Sequence, residues 1–368
     1  MFWQMLDTIA VLLVGLRIAS ASTPCHNRPV LCGRAYNNIP HRGAHHSPFV
    51  RDDSTQHSLS GNQDYNSTVQ LSAGVRLLSA QVQRNGNALH VCHTSCELLD
   101  AGELSDWLGE VHDRLLANPH DVATILLVNG ANASADELAA EYEAAGNVTD
   151  IVYRPPPTND RINASASSSS GPGPSMGLTQ DWPTLQSFIQ SGTRLFTHLF
   201  ENDYDVTIPS GFSCEANRPS SVQNKTALAR AAGLLPLMNH FLYEREAFNI
   251  EVPNVTYIST ANSDTSGEGD LGSAANECTT IYGKAPNFIL VDFFNVGPAM
   301  ATVDRLNGVT DAVGRIDLST AVANGSSRPA GVAALAFSHA AMLCSAVLAV
   351  AIVMASLSHC RRWVHEVE

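Results

Sequence analysis

The sequence predicts an α/β fold in which about eight parallel strands alternate with helices. Apolar runs of strand length are separated by segments whose apolar residues recur at helical spacing. A chain of 368 residues, 44% of them hydrophobic, suffices for one barrel-sized domain of roughly 250 residues with extensions. Several polar residues also follow the predicted strand ends, where such barrels gather their chemistry. These three observations favour a TIM-type (β/α)8 barrel, regular or irregular, with disulfide-braced loops.

The strands and helices are predicted from these patterns in chain order. The run VATILLV lacks alternation, which is typical of a parallel strand buried on both faces. Strands are predicted at residues 39–45, 75–82, 122–128, 148–153, 193–199, 234–240, 255–259 and 288–294. Helices are predicted at residues 104–116 and 135–145, which end at Asn118-Pro119 and Gly146, and from residue 184 to 189.

The two ends of the chain predict its compartment. Residues 1–21 hold an apolar run followed by Ala19-Ser20-Ala21, the pattern of a cleaved signal peptide. The barrel then occupies residues 22–318, with a flexible Ser/Gly/Pro insertion at 164–174. A linker at 319–329 carries Asn324 and small residues that suit GPI attachment, and the apolar tail at 330–368 is a GPI signal or a transmembrane anchor. Either alternative places the barrel outside the cell, at the cell surface.

Sequons and cysteines agree with that compartment. Six of the eight cysteines precede the tail, and their proximity suggests the disulfides Cys25–Cys32 and Cys92–Cys96, which leaves Cys214–Cys278. Seven asparagines lie in glycosylation sequons and are expected to be modified at several sites: Asn66, Asn132, Asn147, Asn163, Asn224, Asn254 and Asn324.

The net charge of -14 excludes some partners. Nucleic-acid binding needs clustered Lys and Arg to neutralise phosphates, and the sequence has no such cluster. An acidic protein is also repelled by anionic membranes, so attachment to a membrane is expected through the C-terminal anchor.

One stretch, residues 74–99, organises the predicted chemistry. It is predicted to form a strand, a polar turn and a second extended run that delivers His93 between Cys92 and Cys96. The best partner for His93 is His45, at the end of the first strand. Two imidazoles that face one water-accessible hollow can move protons in both directions, one as base and one as acid.

At this point the motifs resemble a known family. GAHHS after the first strand, GVRLL before the second, LHVCHTSC after it and the late run GSAANECTTIYGKAPNFILVDFFNVG are similar to secreted PLC-like phosphodiesterases, relatives of phosphatidylinositol-specific phospholipase C. The resemblance implies a TIM barrel in which His45 is the general base, His93 the general acid, and Asp292 the carboxylate that orients the base. It also implies attack by a hydroxyl of the substrate's own head group, which yields a cyclic phosphate. The implied partner is a phosphodiester lipid or glycolipid head group.

The sequence departs from the family pattern at the second strand. Bacterial relatives have an Asp and an Arg there, whereas the matching positions are Ser79 and Gln81. His46 stands where relatives have Asn or Asp. These three residues and Asn129, which follows a later strand, are the candidate substrate-binding residues. No cofactor is expected, because the acidic calcium ligands of eukaryotic relatives are not matched.

Other interpretations stay open. His45 and His93 can be merely packed histidines, Asp292 can be a helix cap, and a zinc site could use His90, His93 and the two nearby cysteines. Two functions remain: a metal-independent phosphodiesterase, and a surface or wall-associated barrel protein that lost efficient catalysis and serves in binding. An Arg or Lys that reaches the histidines from another loop would favour the enzyme. A metal-dependent phosphodiesterase is a third alternative, but its acidic ligand set is missing.

Overall fold

The computed structural model describes residues 24–154, 182–199, 204–247, 250–265, 267–310 and 312–318. The predicted signal peptide, the insertion at 164–174, Asn163, the linker with Asn324 and the tail at 330–368 lie outside these residues. The chain divides into two compact units, Met1–Ile316 and Asp317–Glu368.

The strands and helices alternate along the first unit. The strands are β1 His41–Ala44, β2 Leu77–Asn85, β3 Ala88–Cys92, β4 Asp100–Glu103, β5 Ala123–Asn129, β6 Leu195–Leu199, β7 Leu237–Asn239, β8 Tyr243–Arg245, β9 Glu251–Pro253 and β10 Phe288–Val291. The α-helices are α1 Ser67–Ala73, α2 Leu104–Ala117, α3 Ala135–Ala144, α4 Val148–Ile151, α5 Leu185–Ser191, α6 Thr226–Ala231, α7 Ile258–Ala261, α8 Leu271–Tyr282 and α9 Ala299–Leu306. Short 3-10 helices include Pro29–Leu31, Tyr36–Asn38 and Asp53–Thr55.

A sheet of parallel strands forms the centre of the unit. Within the described residues its order is β6-β5-β2-β1-β10-β7, and every neighbouring pair in that order is parallel. Helices follow strands along the chain, as parallel connections require. The architecture is the α/β fold that the sequence predicts, a TIM-type barrel of irregular form.

Two antiparallel additions interrupt the regular pattern. The end of β2 pairs with β3, and β3 pairs with β4, so that a hairpin arm extends from the parallel sheet. A second antiparallel pair, β8 with β9, forms a separate small sheet. Strand β3 of this hairpin arm ends at Cys92, and the arm carries the following His93, one of the predicted site residues.

Strand β1 shows why its short sequence suits the centre of the sheet. All four of its residues are buried, and a Cβ on Gly43 would lie 2.7 Å from Leu77 Cδ2 and 2.8 Å from Ile289 O. Only glycine therefore lets the neighbouring strands approach this closely. Arg42 is buried as well, and its charge is balanced by an ion pair with Asp304.

Aromatic side chains fill the core at the start of the strands. Tyr36 stacks on Phe196 with ring centroids 4.4 Å apart, and its hydroxyl lies 2.6 Å from the Thr124 hydroxyl. Trp182 and Phe188 belong to the same cluster of buried residues. Tyr36 therefore links β5, through Thr124, to β6, through Phe196.

Two predicted strands are wrong. Residues 148–153 were expected to be extended, but Val148–Ile151 is helical and buries Val148 and Ile151 at helical spacing, so that Val152 alone makes a bridge to Leu195. Residues 255–259 were also expected to form a strand. There the Asn254 side chain accepts a hydrogen bond from the Tyr257 amide at 3.1 Å, which closes a turn before α7.

The structure contains all three predicted disulfides, Cys25–Cys32, Cys92–Cys96 and Cys214–Cys278. Of the sequon asparagines that it describes, four are exposed (Asn66, Asn132, Asn147 and Asn224) and Asn254 is half-buried. Among the described residues, none of the helices has both the length and the apolar character needed to cross a membrane.

Candidate active site

The candidate site lies where β1 and β10 end. His45 directly follows β1 and Asp292 directly follows β10, and these strands are parallel neighbours with Ala44 opposite Val291. The His45 amide donates to the Val291 carbonyl at 2.8 Å, which continues the parallel ladder by one residue beyond β1. The two side chains that the sequence places in one mechanism are therefore adjacent because of strand register.

His45 is oriented by a carboxylate oxygen of Asp292 that also accepts a hydrogen bond from Asn62. Its Nδ1 lies 2.8 Å from Asp292 Oδ1, and Asn62 Nδ2 donates to the same oxygen at 3.0 Å. Because the carboxylate only accepts, Nδ1 carries a proton, and the tautomer with this proton alone presents the lone pair of Nε2. That Nε2 is buried and has no hydrogen-bond partner among the described residues, so it is available as a base.

The plane of the His45 ring is set by two stacked neighbours. Phe241 stacks at a centroid distance of 3.6 Å with 9° between the planes, and His46 stacks on the other side at 3.8 Å and 25°. Gln63 Nε2 donates to the His45 carbonyl at 2.7 Å. These contacts leave the imidazole little rotational freedom.

Asn62 and Gln63 are site residues that the sequence analysis missed. Both side chains are fully buried, and they reach the site because the loop after His45 returns to it. Two backbone contacts hold this return: a β-bridge between Val50 and Gln63, and a hydrogen bond of 2.8 Å from the Asn62 amide to the Phe49 carbonyl. Their only sequence signal is two amide side chains that follow Gly61, which is too general to identify a site.

His46 occupies the space between the two predicted catalysts. Its backbone has a φ of 47° and its amide donates to Ser79 Oγ at 2.9 Å. Its ring stacks on His45 and meets His93 edge-on, with centroids 4.7 Å apart and planes at 84°. His45 and His93 thus belong to one cluster, but they flank His46 rather than facing each other directly.

His93 is presented by the hairpin arm. It follows β3, and the Cys92–Cys96 disulfide closes the loop around it. Gln81 Oε1 accepts a hydrogen bond at 2.6 Å from the amide of Thr94, a residue with a φ of 60°. His93 Nδ1 lies 3.2 Å from Thr94 Oγ1, and the buried Nε2 has no partner within the described part of the chain.

Burial dominates the electrostatics of the cluster. Loss of solvation, and then the neighbouring His45, lowers the pKa of His93 to about 3. The pKa of His46 is held well below its usual value, first by burial and then by the charges of His45 and His93. Both rings are therefore neutral at neutral pH. His45, His46 and His93 are each 2% exposed, so the predicted water-accessible hollow is closed in this structure.

Comparison with known proteins assigns the family. The family model described as PI-PLC X 1 matches residues 31–307, more than half of the chain. The chain belongs to the PI-PLC X family. The match includes His45, His93 and Asp292 within one segment.

Two curated relatives come from Arthroderma benhamiae. One, named an uncharacterized secreted protein, is 31% identical over 313 residues, which cover 78% of this chain and 64% of the relative. The chain thus spans less than two thirds of that relative's length. The other is named PI-PLC X domain-containing protein 1 and is 29% identical over 324 residues, or 82% of this chain and 96% of the relative.

Two bacterial structures are among the solved structures that are similar to this chain. A variant of the phosphatidylinositol-specific phospholipase C from S. aureus has a TM-score of 0.44 and 15% identity, and the match covers 76% of this chain and 95% of that structure. The enzyme of the same name from Listeria monocytogenes has a TM-score of 0.45 and 14% identity, with coverage of 76% and 96%.

Ser79, Gln81 and Asn129 have internal partners in this PI-PLC X member. Ser79 Oγ accepts from the His46 amide and Gln81 accepts from Thr94, so both position a histidine loop. Asn129 donates to the Ala133 carbonyl at 2.8 Å and accepts from the Ala133 amide at 2.9 Å, which shapes its own loop. Within the described part of the chain, no side-chain hydrogen bond joins Asn129 to the histidine cluster.

The described residues also test the alternative metal sites. Among these residues, one cluster has ligand atoms close enough together to bind a single metal ion: His90, Cys92 and Asp100. The Cys92 sulfur, however, is bonded to Cys96 in a disulfide. His90 Nδ1 instead lies 2.9 Å from Asp100 Oδ2, within hydrogen-bond distance. A zinc site on this hairpin does not fit the donor set, because a disulfide sulfur cannot bind as a thiolate.

Proposed function

We propose that this PI-PLC X member is an extracellular phosphoric diester hydrolase that cleaves a head group by histidine acid–base catalysis without a metal. The observation that carries the proposal is the oriented base: His45 with its proton held on Nδ1 by Asp292 and its Nε2 lone pair unpartnered. Asn62 completes the hydrogen bonding of the same carboxylate oxygen.

Cleavage needs one proton removed and one supplied. His45 Nε2 takes the proton of a head-group hydroxyl, whose oxygen attacks phosphorus and forms the cyclic phosphate. The bond from phosphorus to the leaving oxygen breaks, and that oxygen takes a proton from the His93 imidazolium, the form that the bound anionic phosphodiester favours. Intramolecular attack suits a site with few charged groups, because the nucleophile is positioned by its own substrate.

Water can then open the cyclic phosphate by the reverse sequence. His93, now neutral, accepts a proton from water, and the protonated His45 returns its proton to the departing ring oxygen. The two histidines are restored to their starting states. His46 lies between them, and we assign it to binding of the phosphoryl group together with the backbone held by Ser79 and Gln81.

The test uses the purified full-length chain with phosphatidylinositol and lysophosphatidylinositol in mixed micelles, with and without EDTA. His45→Gln and His93→Gln are each expected to lower turnover at least a thousandfold, because each removes a group that moves a proton. His90→Gln, on the same hairpin as His93, is the matched control and is expected to keep turnover within threefold. Turnover that survives both site substitutions would refute the mechanism, and loss of turnover in EDTA would refute metal independence.

A second function is favoured by the closed site. The histidines are nearly inaccessible, and among the described residues no arginine or lysine is hydrogen-bonded to them. A barrel that binds a glycolipid or wall component and turns it over slowly or not at all is consistent with that lack of a cation. Co-sedimentation with phosphatidylinositol vesicles by a chain that shows no turnover would favour this alternative.

The location at the cell surface is part of the proposal. A relative named as secreted, the signal-like residues 1–21 and the sequons support it. A mass decrease after enzymatic removal of N-glycans would confirm passage through the secretory route. Release of the protein from cells by a bacterial phosphatidylinositol-specific phospholipase C would distinguish a GPI anchor at Asn324 from a transmembrane tail.

A further inference from the structure

A pocket lies at the end of the barrel opposite the histidines. It has a volume of about 230 Å³ and is lined by Arg34, Asn37, Asn38, Pro40, Lys284, Ala285, Asn287 and Leu306. Pro40 directly precedes β1 and Asn287 directly precedes β10, whereas His45 and Asp292 follow the same strands. Five residues of extended chain separate Pro40 from His45, or roughly 16 Å, so this pocket is not part of the candidate active site.

The pocket concentrates positive charge on a protein whose net charge is -14. Two of its lining residues, Arg34 and Lys284, are cationic, and none is acidic. Neither forms an ion pair within the described residues, although most buried or half-buried arginines there do so. Arg76 with Asp121 and Arg315 with Asp304 are examples. Two half-buried cations without counter-ions create a local positive potential that an anion would relieve.

Free hydrogen-bonding groups accompany these charges. The Arg34 guanidinium makes no hydrogen bond in the described structure, and Lys284 Nζ donates to the Asn37 carbonyl at 2.6 Å, which leaves two ammonium protons. Burial lowers the pKa of Lys284 to about 8, the direction expected of an ammonium that lacks a counter-ion. Both cations can therefore donate to the same incoming group.

A buried acceptor completes the pocket. Asn287 is 1% exposed, and its Nδ2 donates to the Asn37 carbonyl while its Oδ1 has no partner among the described residues. An unpartnered buried amide oxygen costs free energy and calls for a donor such as a ligand hydroxyl. The apolar side chains of Pro40 and Leu306 line the remaining wall.

We propose that this pocket binds a small hydroxylated oxyanion, a phosphate monoester of a short polyol, with the phosphate on Arg34 and Lys284 and a hydroxyl on Asn287. The volume corresponds to roughly eight water molecules at about 30 Å³ each, which holds a phosphate and a short carbon chain but not a lipid tail. This site is independent of the proposed catalysis, because no residue is shared with it.

Calorimetric titration of the purified full-length chain tests the proposal with three probes: inorganic phosphate, glycerol 3-phosphate and glycerol. Glycerol 3-phosphate is expected to bind at least threefold more tightly than phosphate, because it also offers hydroxyls, and glycerol is expected not to bind. Arg34→Gln replaces a side chain that makes no hydrogen bond in the described structure, so the variant should fold normally. Its affinity for glycerol 3-phosphate should be at least tenfold lower. Asn287→Asp, which places a negative charge in the pocket, should abolish binding.

Arg84→Gln makes the same charge change at a half-exposed position far from the pocket and is the matched control. It is expected to leave the affinity for glycerol 3-phosphate within twofold. Equal weakening by Arg84→Gln and Arg34→Gln would mean non-specific charge attraction and would overturn the proposal. Absence of binding to the wild-type chain at millimolar glycerol 3-phosphate, or equal binding of glycerol, would overturn it as well.

Discussion

Acidification should destabilise this protein well before its carboxylates titrate. Burial lowers the pKa of His41 to about 3, of His93 to about 3 and of His240 to about 4, whereas an unfolded histidine titrates near 6.5. Below pH 6.5 the unfolded chain therefore binds protons that the folded chain does not, and the free energy of unfolding falls as the pH falls. Above pH 6.5 the same groups are neutral in both states and contribute no pH dependence.

The size of the effect follows from these values. At pH 5, each of the three histidines lowers the free energy of unfolding by about 2 kcal/mol, or about 6 kcal/mol together. Since domains of this kind are stable by about 5–15 kcal/mol, the loss should be large enough to bring the protein close to unfolding. The pKa of His26 and of His46 is also held well below 6.5 by burial, which adds to the loss.

Urea unfolding followed by tryptophan fluorescence at pH 7.5, 6.5, 5.5 and 5.0 would measure this dependence. Replacing one buried histidine removes one proton uptake, so His240→Gln should reduce the slope below pH 6 by about 1.4 kcal/mol per pH unit. The glutamine amide can still donate to the Ala261 carbonyl, which lies 3.1 Å from His240 Nε2. His57→Gln, at an exposed position, should leave the slope unchanged. A free energy of unfolding that is constant from pH 7.5 to 5 would refute the reasoning.

Three substitutions test other parts of the structure. Asp292→Asn should lower kcat by about 10² to 10⁴ in the micelle assay, because the amide no longer holds the proton of the base on Nδ1; an unchanged kcat would contradict the orienting role. Gln81→Ala should lower kcat about tenfold, because it removes the hydrogen bond from the Thr94 amide that holds the loop of His93. The control Gln83→Ala on the same strand should leave kcat unchanged, and equal effects of the two substitutions would contradict this role of Gln81. Arg76→Met should cost about 3–5 kcal/mol in urea unfolding because it leaves a buried carboxylate without its closest partner, against under about 1 kcal/mol for the half-exposed Arg84→Met. Similar costs for the two arginines would show that burial does not set the difference.

The sequence alone predicts the parts of the fold that local pattern encodes. Helix α2 is amphipathic over its whole length and its predicted bounds, 104–116, differ from Leu104–Ala117 by one residue. The run Val148 to Val152 fits either a short strand or one helical turn, because five apolar-rich residues do not separate the two periods. Tertiary packing decides there, and it buries Val148 and Ile151 on one face of a helix.

In the candidate site, too, some residues can be predicted from local pattern and others depend on tertiary contacts. His45 and Asp292 are predictable because each directly follows a strand, and parallel strands that pair bring their ends together. Asn62 is not predictable, since it reaches His45 only through the return of a loop whose path depends on long-range contacts. The position of His46 between His45 and His93 depends on a left-handed backbone conformation, and the sequence carries no glycine there to reveal it.

His93 can act as the proposed acid only if substrate binding raises its pKa. In the free protein His93 is neutral at pH 7, and its pKa of about 3 reflects burial without a nearby carboxylate. A bound phosphodiester brings a negative charge beside Nε2, which favours the imidazolium and raises that pKa. Substrate binding would therefore generate the protonated His93 that acts as the acid. It follows that kcat/KM, which reports the free enzyme, should fall about tenfold per pH unit above neutral pH, whereas kcat, which reports the complex, should stay level to a higher pH. Pre-steady-state and steady-state rates from pH 6 to 9 would test this, and parallel pH profiles for the two parameters would exclude substrate-assisted protonation of His93.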